Sequence, residues 1–552
     1  MQHTNLADRK IFPNCHLYQH WQKQILLAVF ERLYFDNGAK PKVDFELAML
    51  SKGYLMMKHY QHYINGAFCD PVSGSYFDSE NPYTGQVWAK VAKGNASDVD
   101  AAVKAARAAF DGEWGAIGPT ARGKLLVKLA EIIEREAVRL GEIEVRDNGK
   151  LIAEMGAQTK YLAEWYRYFG GLADKIEGSV IPSDKPGIFN FTRYEPLGVI
   201  GMITAWNSPL LLLAWKLAPA LAAGNTAVIK PSEYTSASTL EFMELVEEAG
   251  FPTGVVNAIT GFGLEVGAPL VDHPEVDKVA FTGSDVSGQK IYEAAAKKIM
   301  PVTLELGGKS PNIVFEDADF EAAIMGAISG IFAATGQTCI AGSRLLVQRS
   351  IHDKFVKRLV EVAGAAKIGD PMSTETHVGP VTTMPQYEKI MDYIGIAKSE
   401  GATCVLGGDA YNGKGVKGKQ FVQPTIFTGV NNQMRIAQEE VFGPVAPIYK
   451  FSTEEIQLIF NSFSLDNNYH NQHFSKPNFN GDYQPYKSIY QQDYTRLPPP
   501  LNYGKPTIQA PVPIKKTLVE INETVESLDD LLMLIEKNPL RPDICYNINI
   551  FA

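Results

Sequence analysis

Residues 198–233 read GVIGMITAWNSPLLLLAWKLAPALAAGNTAVIKPSE, and this stretch contains two short apolar runs separated by a helical segment. The runs GVIGMITAW and NTAVIK have the length and residue types of buried strands, whereas LLAWKLAPALAA has the length of a helix. Two strands joined by one helix form a right-handed crossover and lie parallel in one sheet. The stretch therefore predicts an α/β fold.

The same alternation continues toward the C-terminus. The segments that extend it are SASTLEFMELVEEAG (236–250), GVVNAIT (254–260), DKVAFTG (277–283), GQKIYEAAAKKI (288–299) and VTLEL (302–306). They predict a parallel sheet that helices cover on both faces. Ligands of such sheets bind beyond the carboxyl ends of the strands, so the candidate site consists of the residues that follow each strand.

The composition indicates a soluble protein with more than one domain. Hydrophobic residues make up 45% of the 552 residues, which is enough for two or three domain cores. The formal net charge is -10. Because nucleic-acid-binding proteins present a clustered basic face, we expect no nucleic-acid partner.

The chain contains five cysteines, Cys15, Cys69, Cys339, Cys404 and Cys545. They are odd in number, widely separated and without metal-ligand spacing, so we expect neither disulfides nor a metal site and favour the reducing cytoplasm. The apolar stretches at 25–35 and 208–224 are interrupted by charged residues. We therefore expect no signal peptide and no membrane partner.

Polar residues follow the first two predicted strands. Asn207 is either a hydrogen-bond donor to an oxygen that gains charge or an ordinary turn residue before a helix that begins at Pro209. Lys230 and Glu233, in KPSE, are either ligands of ribose hydroxyls or part of an ordinary loop. In the first case the carboxylate of Glu233 would repel an added phosphate, which favours NAD over NADP.

Glycines follow the next two strands. Residues 261–267 have the spacing G-x-G-x-x-x-G, which differs from the usual dinucleotide fingerprint and is also typical of a turn. Gly283 and Ser284 precede a helix, where main-chain N–H groups suit a polar cofactor edge.

A carboxylate and a thiol complete the set. Glu305 precedes Gly307 and Gly308, and it is either a general base or a solvent-exposed acid before a turn. Cys339 lies in IFAATGQTCIAGSRL (331–345), after a helix predicted over 319–334. It is either a nucleophile or a buried inert thiol.

Taken together and in order, six motifs resemble the aldehyde dehydrogenase superfamily. They are AWNSP (205–209), KPSE (230–233), FTGS (281–284), LELGGKSP (304–311), GQTCIAGSR (336–344) and EEVFGPV (439–445). Earlier landmarks, NPYTG (81–85) and YEPLGVIG (194–201), are similar to the same family. The resemblance covers residues 63–455.

The resemblance implies a mechanism and a cofactor, NAD rather than NADP. Cys339 would attack a small aldehyde, Asn207 with the Cys339 N–H would stabilise the oxyanion, and Glu305 would activate water to hydrolyse a thioester. Lys230 and Glu233 would hold the adenosine ribose. The remaining cofactor residues implied by the family are Glu440 and Phe442 at the nicotinamide and its ribose, with Trp206, Gly263, Gly283, Ser284 and Leu306 along the rest of the path.

The resemblance also implies the domain organisation. A parallel-sheet NAD-binding domain would span 63–304 and a second α/β catalytic domain 305–456, with a hairpin at 181–195 that joins subunits into a homo-oligomer. Residues 1–62 are an N-terminal extension of uncertain character.

The likeness stops near residue 456. Residues 457–513 are rich in Asn, Gln, Tyr and Pro, which is typical of a low-complexity segment, and 514–552 show a helical pattern unrelated to the family. We therefore expect a C-terminally incomplete catalytic domain. The alternative function is an inactive truncated or chimeric remnant that at most binds nucleotide.

Overall fold

The computed structural model describes residues 57–452 and 549–550. The predictions for 1–56, for 457–513 and for nearly all of 514–552 lie outside the described residues. The chain divides into two units, Met1–Lys58 and His59–Ala552. Only residues 57 and 58 of the first unit are described, and the fold is that of the second.

Strands and helices alternate through most of this unit. The strands are β1 (Lys58–Tyr60), β2 (His62–Ile64), β3 (Ala67–Cys69), β4 (Tyr76–Asn81), β5 (Gln86–Ala92), β6 (Val180–Ile181), β7 (Asn190–Phe191), β8 (Val199–Ile203), β9 (Thr226–Lys230), β10 (Val256–Ala258), β11 (Lys278–Thr282), β12 (Val302–Glu305), β13 (Pro311–Val314), β14 (Arg344–Gln348), β15 (Thr403–Leu406), β16 (Thr425–Thr428), β17 (Val445–Phe451) and β18 (Asn549–Ile550). The α-helices are α1 (Ala96–Asp111), α2 (Glu113–Ala116), α3 (Pro119–Asn148), α4 (Ile152–Leu172), α5 (Pro209–Ala222), α6 (Ala237–Ala249), α7 (Ala268–Asp272), α8 (Asp285–Ala296), α9 (Phe320–Phe332), α10 (His352–Gly364), α11 (Met384–Ser399) and α12 (Arg435–Gln438).

The larger sheet has seven strands in the order β12-β11-β8-β9-β10-β2-β3. Strands β8 to β12 are parallel to one another, and β2 and β3 add an antiparallel edge beside β10. Successive residues of β8 pack into two different hydrophobic cores, one on each face of the sheet. Ile200 and Met202 pack with α3, α5 and α6, whereas Val199 and Ile203 pack with α1 and α7. Helices therefore cover both faces of the sheet, which confirms the predicted α/β fold.

Helix α3, with 30 residues, is the longest helix of the part of the chain that the structure describes. Pro119 occupies its first turn, and Gly149 ends it with φ at 76°, a left-handed conformation that favours glycine at helix ends. The chain turns there and continues as α4. None of the helices within residues 57–452 is both long and apolar enough to cross a bilayer.

The second sheet has six strands in the order β15-β16-β17-β14-β13-β18. Strands β16, β17, β14 and β13 are parallel, and β15 is antiparallel to β16. Strand β18 pairs in parallel with β13, Asn549 opposite Asn312. These two residues lie in the C-terminal segment 514–552, and the edge of β13 offers the main-chain groups with which they pair.

Two smaller sheets are also present among the described residues. One is three-stranded in the order β1-β5-β4, and the other is the β6–β7 hairpin. The hairpin and its flanks expose large apolar side chains, with Phe189 72%, Phe191 58% and Tyr194 71% exposed. The function of this hairpin in joining subunits stays a prediction.

The helix predicted over 319–334 is shorter than expected. Helix α9 ends at Phe332, and Ala334, Thr335 and Gly336 have φ values of 54°, 55° and 71°. Positive φ is rare for Ala and for the β-branched Thr, so the sequence does not announce this turn. The turn redirects the chain toward Cys339.

Candidate active site

Four neighbouring strands of the seven-stranded sheet end at one level. The register pairs Ile203 with Lys230 and with Phe281. It also pairs Thr282 with Glu305. The residues that follow these ends therefore meet at the carboxyl edge of the sheet, as the sequence predicts.

Asn207 follows β8 and lies buried, 6% exposed. Its Nδ2 donates a hydrogen bond to the main-chain oxygen of Gln337, at 3.1 Å. The side-chain amide has two N–H groups, so this bond orients the amide and leaves its second N–H for another acceptor. Asn207 is thus more than a turn residue, because it connects the first sheet with the loop that carries Cys339.

The loop before Cys339 is held in its left-handed turn from several sides. The N–H of Ala334 donates to Glu154 Oε1 at 2.6 Å, and the hydroxyl of Thr335 donates to the Gly379 oxygen at 3.3 Å. A Cβ on Gly336 would lie 2.0 Å from the main-chain oxygen of Gly443. Backbone strain of this kind persists only where the surroundings fix it, and here it sets the position of the thiol.

Cys339 is a free, partly buried thiol. Burial raises its pKa, and the carboxylates of Glu440 and Glu305 raise the pKa further. The N–H groups of Cys339 and Ile340 act in the opposite direction because they hydrogen-bond to the sulfur. The thiol therefore lies within electrostatic range of both predicted site carboxylates, unlike an isolated structural cysteine.

Glu305 is the last residue of β12, and it is exposed. Its main-chain oxygen accepts a hydrogen bond from Gly283 N–H at 3.1 Å, which fixes the strand end while the carboxylate reaches solvent. An exposed carboxylate near a thiol has access to water. The geometry therefore suits the base predicted from the sequence.

Glu440 lies against the glycines that follow Glu305. Its Oε1 accepts from Gly308 N–H at 3.0 Å, and a Cβ on Gly307 would lie 2.2 Å from its Oε2. Burial raises the pKa of Glu440, whereas the Gly308 N–H and the Lys389 ammonium lower it. Because Gly307 and Gly308 have no side chains, the carboxylate of Glu440 can lie close to the end of β12.

Four of the remaining predicted cofactor residues form two pairs. Lys230 is 3% exposed and its ammonium donates to Glu233 Oε2 at 2.9 Å, at the end of β9. The rings of Trp206 and Phe442 meet edge to face, with centroids 5.4 Å apart. Phe442 has φ at 60°, so a strained backbone places its ring.

Four further predicted residues lie near the sheet edge or its loops. Ser284 caps α8, accepting from Ser287 N–H at 3.2 Å, and Leu306 packs over Gly288 of the same helix. Gly283 joins β11 to that cap. Gly263 begins a separate π-helical turn, Gly263–Gly267, and a Cβ added to it would meet no atom within 4 Å. Among the described residues, no hydrogen bond joins Gly263 to a catalytic candidate.

Two buried lysines near the site have no assigned role in the sequence motifs. Lys216 Nζ donates to Thr282 Oγ1 at 2.5 Å; burial lowers its pKa to about 8, and Glu305 and Cys339 oppose that shift. Lys309 is 6% exposed, its Nζ has no hydrogen-bond partner among the described residues, and burial lowers its pKa to about 7. In the sequence, Lys216 stands out as a single cation inside the apolar run LLLLAWKLAPAL (210–221), which could have indicated a buried charge.

Comparison with known proteins shows the family to which this chain belongs. The family model described as the aldehyde dehydrogenase family matches residues 68–463. An aldehyde dehydrogenase of Emericella nidulans is 48% identical over 393 residues, which cover 71% of this chain and 78% of the relative. The chain therefore belongs to the aldehyde dehydrogenase family, which confirms the resemblance of its motifs.

Solved structures agree with the fold. The NAD+ complex of an aldehyde dehydrogenase from Bacillus cereus is 43% identical with a TM-score of 0.70, and covers 76% of this chain and 84% of that one. Betaine aldehyde dehydrogenase from Staphylococcus aureus, also solved with NAD+, is 41% identical with a TM-score of 0.71 and coverages of 74% and 81%. Within residues 57–452, no group of three or more His, Cys, Asp or Glu side chains is arranged to hold a metal ion.

Proposed function

We propose that this chain oxidises a small aldehyde to a carboxylic acid with NAD, through a thiohemiacetal and a thioester on Cys339. The observation that carries the proposal is the hydrogen bond between Asn207 Nδ2 and the Gln337 oxygen, at 3.1 Å. It fixes the amide of Asn207 to Gln337, which lies two residues before the partly buried thiol of Cys339. A nucleophile beside a fixed donor is the arrangement that addition to a carbonyl requires.

In the first step the Cys339 sulfur, as thiolate, attacks the aldehyde carbon and forms a C–S bond. The carbonyl oxygen takes up the electron pair and becomes an oxyanion. It receives hydrogen bonds from Asn207 Nδ2 and from the Cys339 N–H. Removing one donor of this kind typically lowers kcat about 10²–10³-fold in other enzymes.

The donor set fits a dinucleotide. The Lys230–Glu233 pair offers an ammonium and a carboxylate to a ribose diol, and the N-terminus of α8, capped at Ser284, presents main-chain N–H groups. Glu440 and Phe442 would hold the nicotinamide end. When bound, NAD supplies the acceptor for the hydride that leaves the thiohemiacetal carbon, which leaves a thioester on the enzyme. The Glu233 carboxylate would repel a 2′-phosphate, which favours NAD over NADP.

Glu305 acts in the second half of the reaction. Its exposed carboxylate takes a proton from a water molecule as the water oxygen bonds to the acyl carbon. The C–S bond then breaks, the sulfur recovers the electron pair, and the carboxylic acid leaves. A thiol is suited to both halves because it adds readily to a carbonyl and forms a thioester that water can cleave.

The proposal extends to the domains and their setting. The seven-stranded sheet would bind the cofactor and the six-stranded sheet would carry the nucleophile, in a reducing cytoplasm that keeps Cys339 as a thiol. The exposed apolar side chains of the β6–β7 hairpin support its assignment as an element that joins subunits of a homo-oligomer.

The test is turnover of propanal or benzaldehyde with NAD, followed by the absorbance of the reduced cofactor. Cys339→Ala should abolish turnover, whereas Cys404→Ala should not. The Cys404 thiol donates a hydrogen bond to the Leu406 oxygen at 3.2 Å within β15, at the edge of the six-stranded sheet. Turnover that survives in Cys339→Ala would refute the proposal. A folded wild-type protein without turnover would favour the alternative of an inactive remnant.

A further inference from the structure

The turn between α3 and α4 is anchored to the loop that joins α10 and α11. The Thr382 hydroxyl donates to the Asn148 oxygen at 2.5 Å, and Ile152 N–H donates to the Pro371 oxygen at 2.8 Å. A Cβ on Gly149 would lie 2.8 Å from the side chain of Pro380. The turn is therefore tightly packed, and side chains that leave it start from a fixed position.

Lys150 reaches from this turn to the loop of the oxyanion donor. It is 1% exposed, and its Nζ donates to the hydroxyl of Ser208 at 3.0 Å. Ser208 is the residue directly after Asn207 and the N-cap of α5. Glu144 of α3 accepts a hydrogen bond from Leu210 N–H at 2.9 Å, in the first turn of α5.

Glu154 reaches from the same turn to the loop of the nucleophile. Its Oε1 accepts from Ala334 N–H at 2.6 Å, at the start of the left-handed turn that precedes Cys339. Its Oε2 is buried and has no hydrogen-bond partner among the described residues. This carboxylate and the carboxylate of Glu144 oppose the effect of burial, which lowers the pKa of Lys150 to about 8.

Two side chains four residues apart thus hold the two catalytic loops. We propose that Lys150 and Glu154 are positioning residues, which set the placement of Asn207 relative to Cys339 by fixing Ser208 on one side and Ala334 on the other. The inference rests on the proposed function. Misplacing reacting groups by about 1 Å can lower a rate about 10²-fold, so such supports matter without touching the substrate.

The test compares kcat and the KM for NAD in Lys150→Met, Ser208→Ala and the double variant. Lys150→Met should lower kcat about tenfold or more with the KM for NAD within twofold of wild type. Because Lys150 acts through Ser208, the double variant should be no worse than Lys150→Met. If the losses of kcat in the two single variants multiply in the double variant, the role assigned to Lys150 is overturned. A wild-type kcat in a folded Lys150→Met would overturn it as well.

A second pair of variants tests the other loop. Glu154→Ala removes the acceptor for Ala334 N–H and should lower kcat at least tenfold, whereas Glu154→Gln keeps an oxygen acceptor and should remain within threefold of wild type. Equal losses in both variants would overturn the role assigned to Glu154. Thermal unfolding checks that each variant is folded. If Lys150→Met or Glu154→Ala does not fold, the kcat of Ser208→Ala or of Glu154→Gln is compared with wild type instead.

Alkylation of Cys339 by iodoacetamide separates this inference from the proposed function. It needs neither aldehyde nor cofactor. Release of the left-handed turn in Glu154→Ala should expose the partly buried thiol and speed alkylation at least threefold, and Glu154→Gln should not. If wild type alkylates but does not turn over, the proposed function fails, and the inference on Glu154 is then decided by this rate alone.

Discussion

Gly307→Ala is a steric test of the contact between Glu440 and the end of β12. The added Cβ would lie 2.2 Å from Oε2, 2.9 Å from Cδ and 3.2 Å from Oε1 of Glu440, where ordinary contact begins at 3.4 Å. The carboxylate must therefore retreat by about 1 Å to restore that contact. A retreat of this size breaks its 3.0 Å hydrogen bond with Gly308 N–H.

The expected loss follows from that bond. A hydrogen bond to a charged group contributes about 1.5–3 kcal/mol, and about 1.4 kcal/mol corresponds to a tenfold change in an equilibrium constant. Because Glu440 is proposed to hold the nicotinamide ribose, Gly307→Ala should weaken NAD binding by about tenfold to hundredfold. The measurements are the KM for NAD at saturating aldehyde and the Kd by calorimetry.

The control is the same substitution in a Glu440→Ala background. If the added methyl group acts only by displacing the Glu440 carboxylate, Gly307→Ala should have no further effect once that carboxylate is absent. A KM and Kd for NAD at the wild-type level in Gly307→Ala would refute the reasoning. Equal losses in the presence and absence of Glu440 would refute it as well.

Three further predictions address the thiol, the oxyanion donor and the strained turn. Glu440→Gln removes a negative charge that raises the pKa of Cys339, so the pH midpoint of iodoacetamide alkylation should move down; an unchanged or higher midpoint would contradict the assigned cause. Asn207→Ala should lower kcat about 10²–10³-fold while Cys339 still alkylates, and a loss below about fivefold in steady-state turnover would argue against an oxyanion role. Gly336→Ala forces an alanine into the left-handed conformation, which costs about 1–2 kcal/mol of stability, and places its Cβ 2.0 Å from a main-chain oxygen, so the thermal unfolding temperature should fall. Gly395→Ala is the control, because Gly395 lies in a helix with open space around it, and it should not lower that temperature.

The sequence predicts the parallel sheet and the residues at its carboxyl edge because strand periodicity and topology are local signals. Lys230 and Glu305 end strands that the pattern identifies, and Asn207 follows another such strand. The left-handed turn before Cys339 is not predictable in this way, since Ala334 and Thr335 have no local preference for positive φ. Tertiary contacts, such as the bond to Glu154, impose that conformation.

The buried charges are equally invisible in the sequence. Lys150 and Glu154 appear as ordinary polar residues beside a helix turn, and their partners lie 58 and 180 positions away. Lys216 has a weak signal, one cation in an apolar helix, but its partner Thr282 is known only from the fold. Side chains that support a site from another element carry no spacing that a motif can capture.

The electrostatics of the site bear on when the nucleophile forms. Burial and the carboxylates of Glu440 and Glu305 raise the pKa of Cys339, so near neutral pH the resting group is mainly the thiol. The attacking thiolate then requires a proton acceptor. In the proposed mechanism, the exposed Glu305 carboxylate, within electrostatic range of the sulfur, would accept that proton and pass it to water, which would give this residue a part in the first half of the reaction as well as in the second. The rate of thiol addition should therefore rise with pH up to the pKa of Cys339.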